Sequence, residues 1–134
     1  IIIPGFDYRY NWSDVPFWLV IAADILVLLG YLFVLRVFAE NQYASRTIEV
    51  EEGQKVITTG LYSKIRHPMY LGVMIMYIAT PFALGSYWAL LPIIPCVLML
   101  IPRILNEEEV LRRELPGYAE YCKKTKYRLI PRVW

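Results

Sequence analysis

The sequence predicts an all-α fold: an integral membrane helical bundle with at least three transmembrane helices, the last two paired as a hairpin, followed by a cytosolic C-terminal helical tail. Three observations carry that expectation. Hydrophobic residues make up 57% of the 134 positions and the mean hydropathy is positive, more apolar than a soluble domain of this size usually is. Long apolar runs occupy about 17–38 and most of about 68–105, enough for three crossings. Arg9 and Arg36 aside, the basic residues gather in two blocks, Arg46 to Arg66 and Arg103 to Arg132, with the apolar hairpin between them.

The chain opens on "IIIPGFDYRY" without an initiator methionine, so the single domain spanning 1–134 is expected to be N-terminally incomplete and its helix count a minimum. The first span, about 17–38, suits a hydrocarbon core of about 30 Å at about 1.5 Å per residue. Asp24 within it should face protein or water, and Arg36 near its end can snorkel to the headgroups; both also suit plain helix-packing polar groups. Polar sequence from about 39 to 67 then forms a surface loop, with "RTIEVEEGQKVITTG" resembling a short extended or hairpin-like element around Glu52 and Gly53. The second span, about 68–84, is short for a full crossing. After the break at "ALGSYW" a third, about 88–105, carries Pro92, Pro95 and Pro102, which should kink it. Both basic blocks then lie on one side, and the positive-inside tendency places the loop 39–67 and the tail 106–134 in the cytosol.

Several chemistries are excluded. Cys96 sits in an apolar run and Cys122 in the basic tail, so no disulfide framework is indicated. One histidine, with no CxxC or HxxxH spacing, leaves too few ligands for a zinc site, and no metal is expected. The tail "YCKKTKYRLIPRVW" mixes aromatics with bases as nucleic-acid binders do. Beside membrane spans, docking to anionic headgroups is the better reading of that mixture.

Two stretches carry chemistry. In "TGLYSKIRHPMYLG" Pro68 suits the first helical position, and His67 before it is pushed toward an extended backbone. The donors of the following turn, with Arg66 and the helix dipole, make a seat for a carboxylate or phosphate. Gly72 lets a helix or ligand approach closely. Tyr62, Lys64, Arg66 and Tyr70 equally suit the basic and aromatic belt of a membrane interface. In the second stretch, Ile101, Ile104, Leu111 and Leu115 form an apolar stripe with one gap, at Glu108, so an acid takes a core-facing slot. Arg103–Glu107, Glu108–Arg112 and Glu109–Arg113 are each four apart, which also suits ordinary surface ion pairs. The helix should end at "LPGY", where Pro116-Gly117 breaks it.

Together, Arg66-His67-Pro68-Met69-Tyr70-Leu71-Gly72 and Arg103-Ile-Leu-Asn-Glu107-Glu108-Glu109 with the following "LPGYAEYCKKTKYRLIP" resemble the isoprenylcysteine carboxyl methyltransferase and phospholipid methyltransferase family of membrane enzymes. The resemblance covers about 47–131 and departs at "LPGY", where many relatives have a Phe-Gly pair with a longer step to tyrosine. It implies S-adenosylmethionine-dependent methyl transfer, with S-adenosylhomocysteine as product. The acceptor it implies is a lipidated or amphiphilic molecule drawn from the membrane: a carboxylate such as prenylcysteine, a lipid amine or a thiol. By position, the cofactor contacts would be Gln54, Lys55, Val56, Ile57, Tyr62, Arg66, His67, Pro68, Met69, Tyr70 and Glu107, with Thr47 as a further match. Arg103 would hold the substrate, and Glu108 or His67 would supply a base for an acceptor that needs one. Membrane sterol reductases, which use NADPH, are similar in their C-terminal half and give an alternative; a non-catalytic scaffold docked on lipid gives another.

Overall fold

A computed structural model describes residues 2–43 and 50–134. Among the described residues six α-helices follow one another: α1 (Ile2–Tyr10), α2 (Phe17–Glu40), α3 (Pro68–Ala83), α4 (Leu90–Leu98), α5 (Leu100–Glu114) and α6 (Tyr118–Lys124), with a 3-10 turn at Gly60–Ser63 before α3. No strand occurs among the described residues. Where a short extended or hairpin-like element is expected around Glu52 and Gly53, the described residues form a turn without strands, with Gly53 at φ 77° and Gln54 Oε1 accepting the Glu51 amide at 2.9 Å. Residues 44–49, Thr47 among them, lie outside the described residues.

Among the described residues two segments are long and apolar enough to cross a membrane: α2, with 24 residues, and the α4–α5 rod from Leu90 to Glu114, with 25. Their large side chains face outward; Phe17 is 78% exposed and Leu98 58%, as lipid-facing surfaces require. The α3 helix has 16 residues and rises about 24 Å, less than a full hydrocarbon thickness. The rod is interrupted at Met99, between α4 and α5. Pro102 accounts for the break, because its ring has no N–H for the Leu98 carbonyl and would collide with it in an unbroken helix.

The α2 and α3 helices pack through glycine on both sides. A Cβ on Gly72 would stand 2.6 Å from Val34 Cγ2, and one on Gly30 would stand 2.8 Å from Met76 Cγ. The backbones therefore meet at a separation only glycine allows, and Gly72 serves a neighbouring helix. Asp24 does not turn into that contact; it stands on the exposed face of α2.

Ahead of the first expected span, α1 forms and folds onto the far end of the bundle. Asp7 is 1% exposed and accepts hydrogen bonds from Ser13 Oγ at 2.7 Å and from Ser86 Oγ. Ser13 Oγ in turn accepts the Tyr87 amide at 3.1 Å. Trp12 stacks on Tyr10 and meets Trp88 edge-on. This end carries the α3–α4 turn. The opposite end gathers the close of α2, the 3-10 turn, the start of α3, the second half of α5 and the tail.

The tail is tied in by backbone pairing: the Arg66 amide donates to Tyr127 O at 2.9 Å and the His67 amide to Arg128 O at 2.8 Å. Leu115, Tyr118 and Tyr121 pack with Val37 and Tyr62, and Leu129 packs with Tyr70 and Ile104. Ile101 does not join this stripe and is 45% exposed.

Gly72→Leu is expected to overpack the α2–α3 seam by about 1–3 kcal/mol, seen as a lower thermal unfolding midpoint in detergent. Gly5→Ala, where an added carbon meets nothing within 4 Å, should leave the midpoint unchanged or slightly higher. Equal behaviour of the two variants would refute the close-contact account.

Candidate functional site

Glu108 is the acid in the apolar stripe, and the fold supplies it with cations from three directions. Arg66 Nη1 lies 2.9 Å from Oε1, Arg128 Nε 3.1 Å and Arg112 Nη2 3.7 Å from Oε2, and His67 Nε2 3.3 Å from Oε1. The Glu108 and Arg66 side chains are only 4% and 6% exposed. A carboxylate so buried is tolerable because its charge is paired and its lone pairs are used. Arg66 is held further by Cys122 Sγ at 3.2 Å and by the Lys126 carbonyl at 3.1 Å. By contrast, Glu109 and Arg113 make the ordinary i,i+4 surface pair, at 2.9 Å and mostly exposed.

Glu107, next in sequence, turns about 100° away around the helix. The Tyr70 hydroxyl donates to Glu107 Oε2 at 2.6 Å and accepts from Arg103 Nε at 2.9 Å. His67 Nδ1 is 3.8 Å from Glu107 Oε1, so the imidazole stands between two carboxylates. Arg103 and Glu107, four apart on one helix face, both bond the Tyr70 hydroxyl.

A third cluster closes the site from the loop and tail. Asn41 Nδ2 donates to the Tyr62 hydroxyl at 3.1 Å, and the Tyr121 hydroxyl donates to the Tyr62 carbonyl at 2.7 Å. Burial pushes the Tyr62, Tyr118 and Tyr121 phenols above their ordinary value, so at neutral pH all three keep their O–H. Glu40 ends α2 by accepting the Leu61 amide at 2.9 Å. Gly60 fits there at φ 57°, with its α-carbon against the Glu40 carboxylate.

Between these clusters lies a cavity that opens to solvent. Gln54, Lys55, Val56, Ile57, Tyr62, Arg66, His67, Met69, Tyr70 and Glu107 all line it. Pro68 does not; it is buried at the first position of α3. Glu108 stands behind the wall in its ion cluster, and Arg103 one turn along α5, neither lining the cavity. Sequence reasoning missed Asn41, Tyr43, Val110, Leu111, Leu115, Tyr118 and Tyr121, which complete the lining. Tyr118 and Tyr121 had a signal, since a spacing of three puts them on one face of a helix.

The family model described as phospholipid methyltransferase matches residues 18–116. The Delta(14)-sterol reductase TM7SF2 of Mus musculus is similar as well, 31% identical over 91 residues, which is 66% of this chain and 22% of the reductase. The chain thus spans about 22% of the length of that relative.

Glu108→Gln should leave the buried Arg66 without a counter-ion and cost about 3–5 kcal/mol, measured as thermal unfolding of the ligand-free protein in detergent. Glu109→Gln, whose partner is solvated, should cost no more than about 0.5 kcal/mol. Similar losses in the two would deny Glu108 its central place.

Proposed function

The chain belongs to the phospholipid methyltransferase family, and on that premise we propose that it catalyses S-adenosylmethionine-dependent methyl transfer to a lipidated or amphiphilic acceptor at the cytosolic membrane face. The observation that supports this most is the convergence of three separate segments on one cavity: 54–57, the entrance of α3 and Glu107 of α5. The loop 39–67 and the tail 106–134 face the cytosol in this reading, because the basic residues concentrate there.

The lining fits such a cofactor. Val56, Ile57, Met69, Val110 and Leu111 offer apolar wall for a purine and a thioether chain, Glu107 offers an acceptor for an ammonium or ribose hydroxyls, and the Arg66 wall offers positive charge for a carboxylate. Bound there, the cofactor supplies a methyl group already activated on a sulfonium. What the chain must add is alignment and exclusion of water, and alignment alone is worth up to about 7–11 kcal/mol.

Tyr70 sits where the two functions meet, touching Glu107 on the cavity side and Arg103 toward the membrane. Arg103 orients the acceptor by pairing with its carboxylate or phosphate, a task suited to the planar fork of a guanidinium. An anionic acceptor needs no base. For an amine or thiol acceptor, His67 is the better proton acceptor of the two considered, because Glu108 is committed to three guanidinium groups. Glu108 then acts by holding Arg66 and His67 in place.

The likeness to a sterol reductase favours a second reading, reduction of a sterol-like double bond with NADPH. Thermal unfolding in detergent separates the two. S-adenosylhomocysteine should raise the midpoint while NADPH leaves it unchanged; the reverse result would transfer the assignment to the reductase.

Titration calorimetry of the detergent-solubilised chain with S-adenosylhomocysteine should show binding that Glu107→Ala and His67→Ala each weaken by about tenfold or more, as expected for lost charge-assisted contacts. Unchanged affinity in both would remove these residues from the site. Transfer of a tritiated methyl group into a total lipid and small-molecule extract should then reveal the acceptor.

A further inference from the structure

Two polar atoms near the cavity have no hydrogen-bond partner among the described residues although both are buried: Arg66 Nε and the Tyr118 hydroxyl. Arg66 is 8% exposed and Tyr118 4%, and both residues line the cavity. A buried polar group left without a partner costs about 1–3 kcal/mol, and two of them on one cavity point to a group that the polypeptide does not provide. Arg66 Nε can only donate. The Tyr118 phenol keeps its proton under the influence of burial and of Glu108, so it too has a donor to offer. Neighbouring Tyr121 differs: its hydroxyl is already used on the Tyr62 carbonyl.

The electrostatics select the kind of acceptor. Glu108 is one carboxylate facing Arg66, Arg112 and Arg128. Arg112 and Arg128 reach solvent, with side chains 50% and 27% exposed, whereas Arg66 does not. The cluster as a whole sets three guanidinium groups against one carboxylate, so the potential beside the cavity is positive and favours an anionic acceptor. The lining also carries Glu107, which suits the cationic end of a ligand instead.

We propose that Tyr118 and Arg66 Nε together seat the carboxylate of the cofactor's amino-acid end, making Tyr118 a ligand-binding residue contributed by the tail. This rests on the methyltransferase reading above and assigns to α6 a part in holding the ligand. It also gives the tail a functional reason to fold back on the entrance of α3, since without that return the seat would lose half its donors.

Calorimetry with two ligands tests the seat. S-adenosylhomocysteine carries the carboxylate, and 5′-methylthioadenosine keeps the nucleoside and sulfur without it. Tyr118→Phe removes one oxygen and should weaken S-adenosylhomocysteine by about tenfold or more, as for a hydrogen bond to a charged group, and leave 5′-methylthioadenosine unchanged. Tyr121→Phe should lower the unfolding midpoint and leave the ratio of the two affinities as in the parent chain. Parent-chain binding of S-adenosylhomocysteine with no loss in Tyr118→Phe would overturn the seat alone. Equal weakening of both ligands would also overturn it, placing the phenol against the nucleoside. Failure of the parent chain to bind S-adenosylhomocysteine would overturn the methyltransferase reading and the seat together.

Discussion

The buried pair of Glu108 and Arg66 is the interaction on which the cavity-bearing half of the molecule depends. Neither charge could stand alone at 4% and 6% side-chain exposure, because desolvating an unpaired ion costs far more than a domain's net stability can offset. Each therefore requires the other's segment to be in place. Arg66 belongs to the approach to α3, Glu108 to α5, and Arg128, the third member, to the tail. A chain that satisfies this one carboxylate has brought three distant segments to a single point. Cavity walls formed by the same segments follow as a consequence.

At the other end of the bundle the same rule holds with neutral partners. Asp7 is buried and finds hydroxyl donors in Ser13 and Ser86, which fastens α1 over the α3–α4 turn. Between the two polar ends the helices have only dispersion and close approach to hold them, since lipid offers no hydrophobic drive for helices to associate. Gly30 and Gly72 provide that approach. The molecule is thus clamped at both ends by polar groups that cannot be left bare and zipped in the middle by the absence of side chains.

Much of this could be read in the sequence wherever the cause was local. Pro68 as first residue of α3, the stop at Pro116-Gly117 and the inward acid at Glu108 all follow from spacing or from backbone chemistry of adjacent residues. What escaped had causes far away in the chain. The α1 helix contains a proline and a glycine and is secured through Ser86, 79 residues on from Asp7, so nothing nearby announces it. The break at Met99, by contrast, is the kink expected from the prolines of that span. Tyr118 and Tyr121 take their surroundings from residues as distant as Val37 and Tyr62, which nothing in the tail's own sequence announces. After the turn at Glu52 and Gly53, the consecutive residues 54–57 all line the cavity, a use that no sheet-like alternation announces.

The division of labour between Glu107 and Glu108 shows how one helix can support both stability and chemistry. The step of about 100° between neighbouring helical residues sends one carboxylate into the ion cluster and the other to the cavity rim, where its side chain keeps 25% exposure. Glu108 has four cationic or potentially cationic neighbours and nothing left to offer a ligand. Glu107 has a phenol, and an imidazole at longer range, and retains capacity to accept. His67 lies between them, so the acid that stabilises and the acid that faces the cavity are coupled through a single ring. Any change that loosens the Glu108 cluster would therefore be felt by Glu107 before it unfolded the helix. In this sense the ion pair that folds the site also sets the position of the residues that would use it.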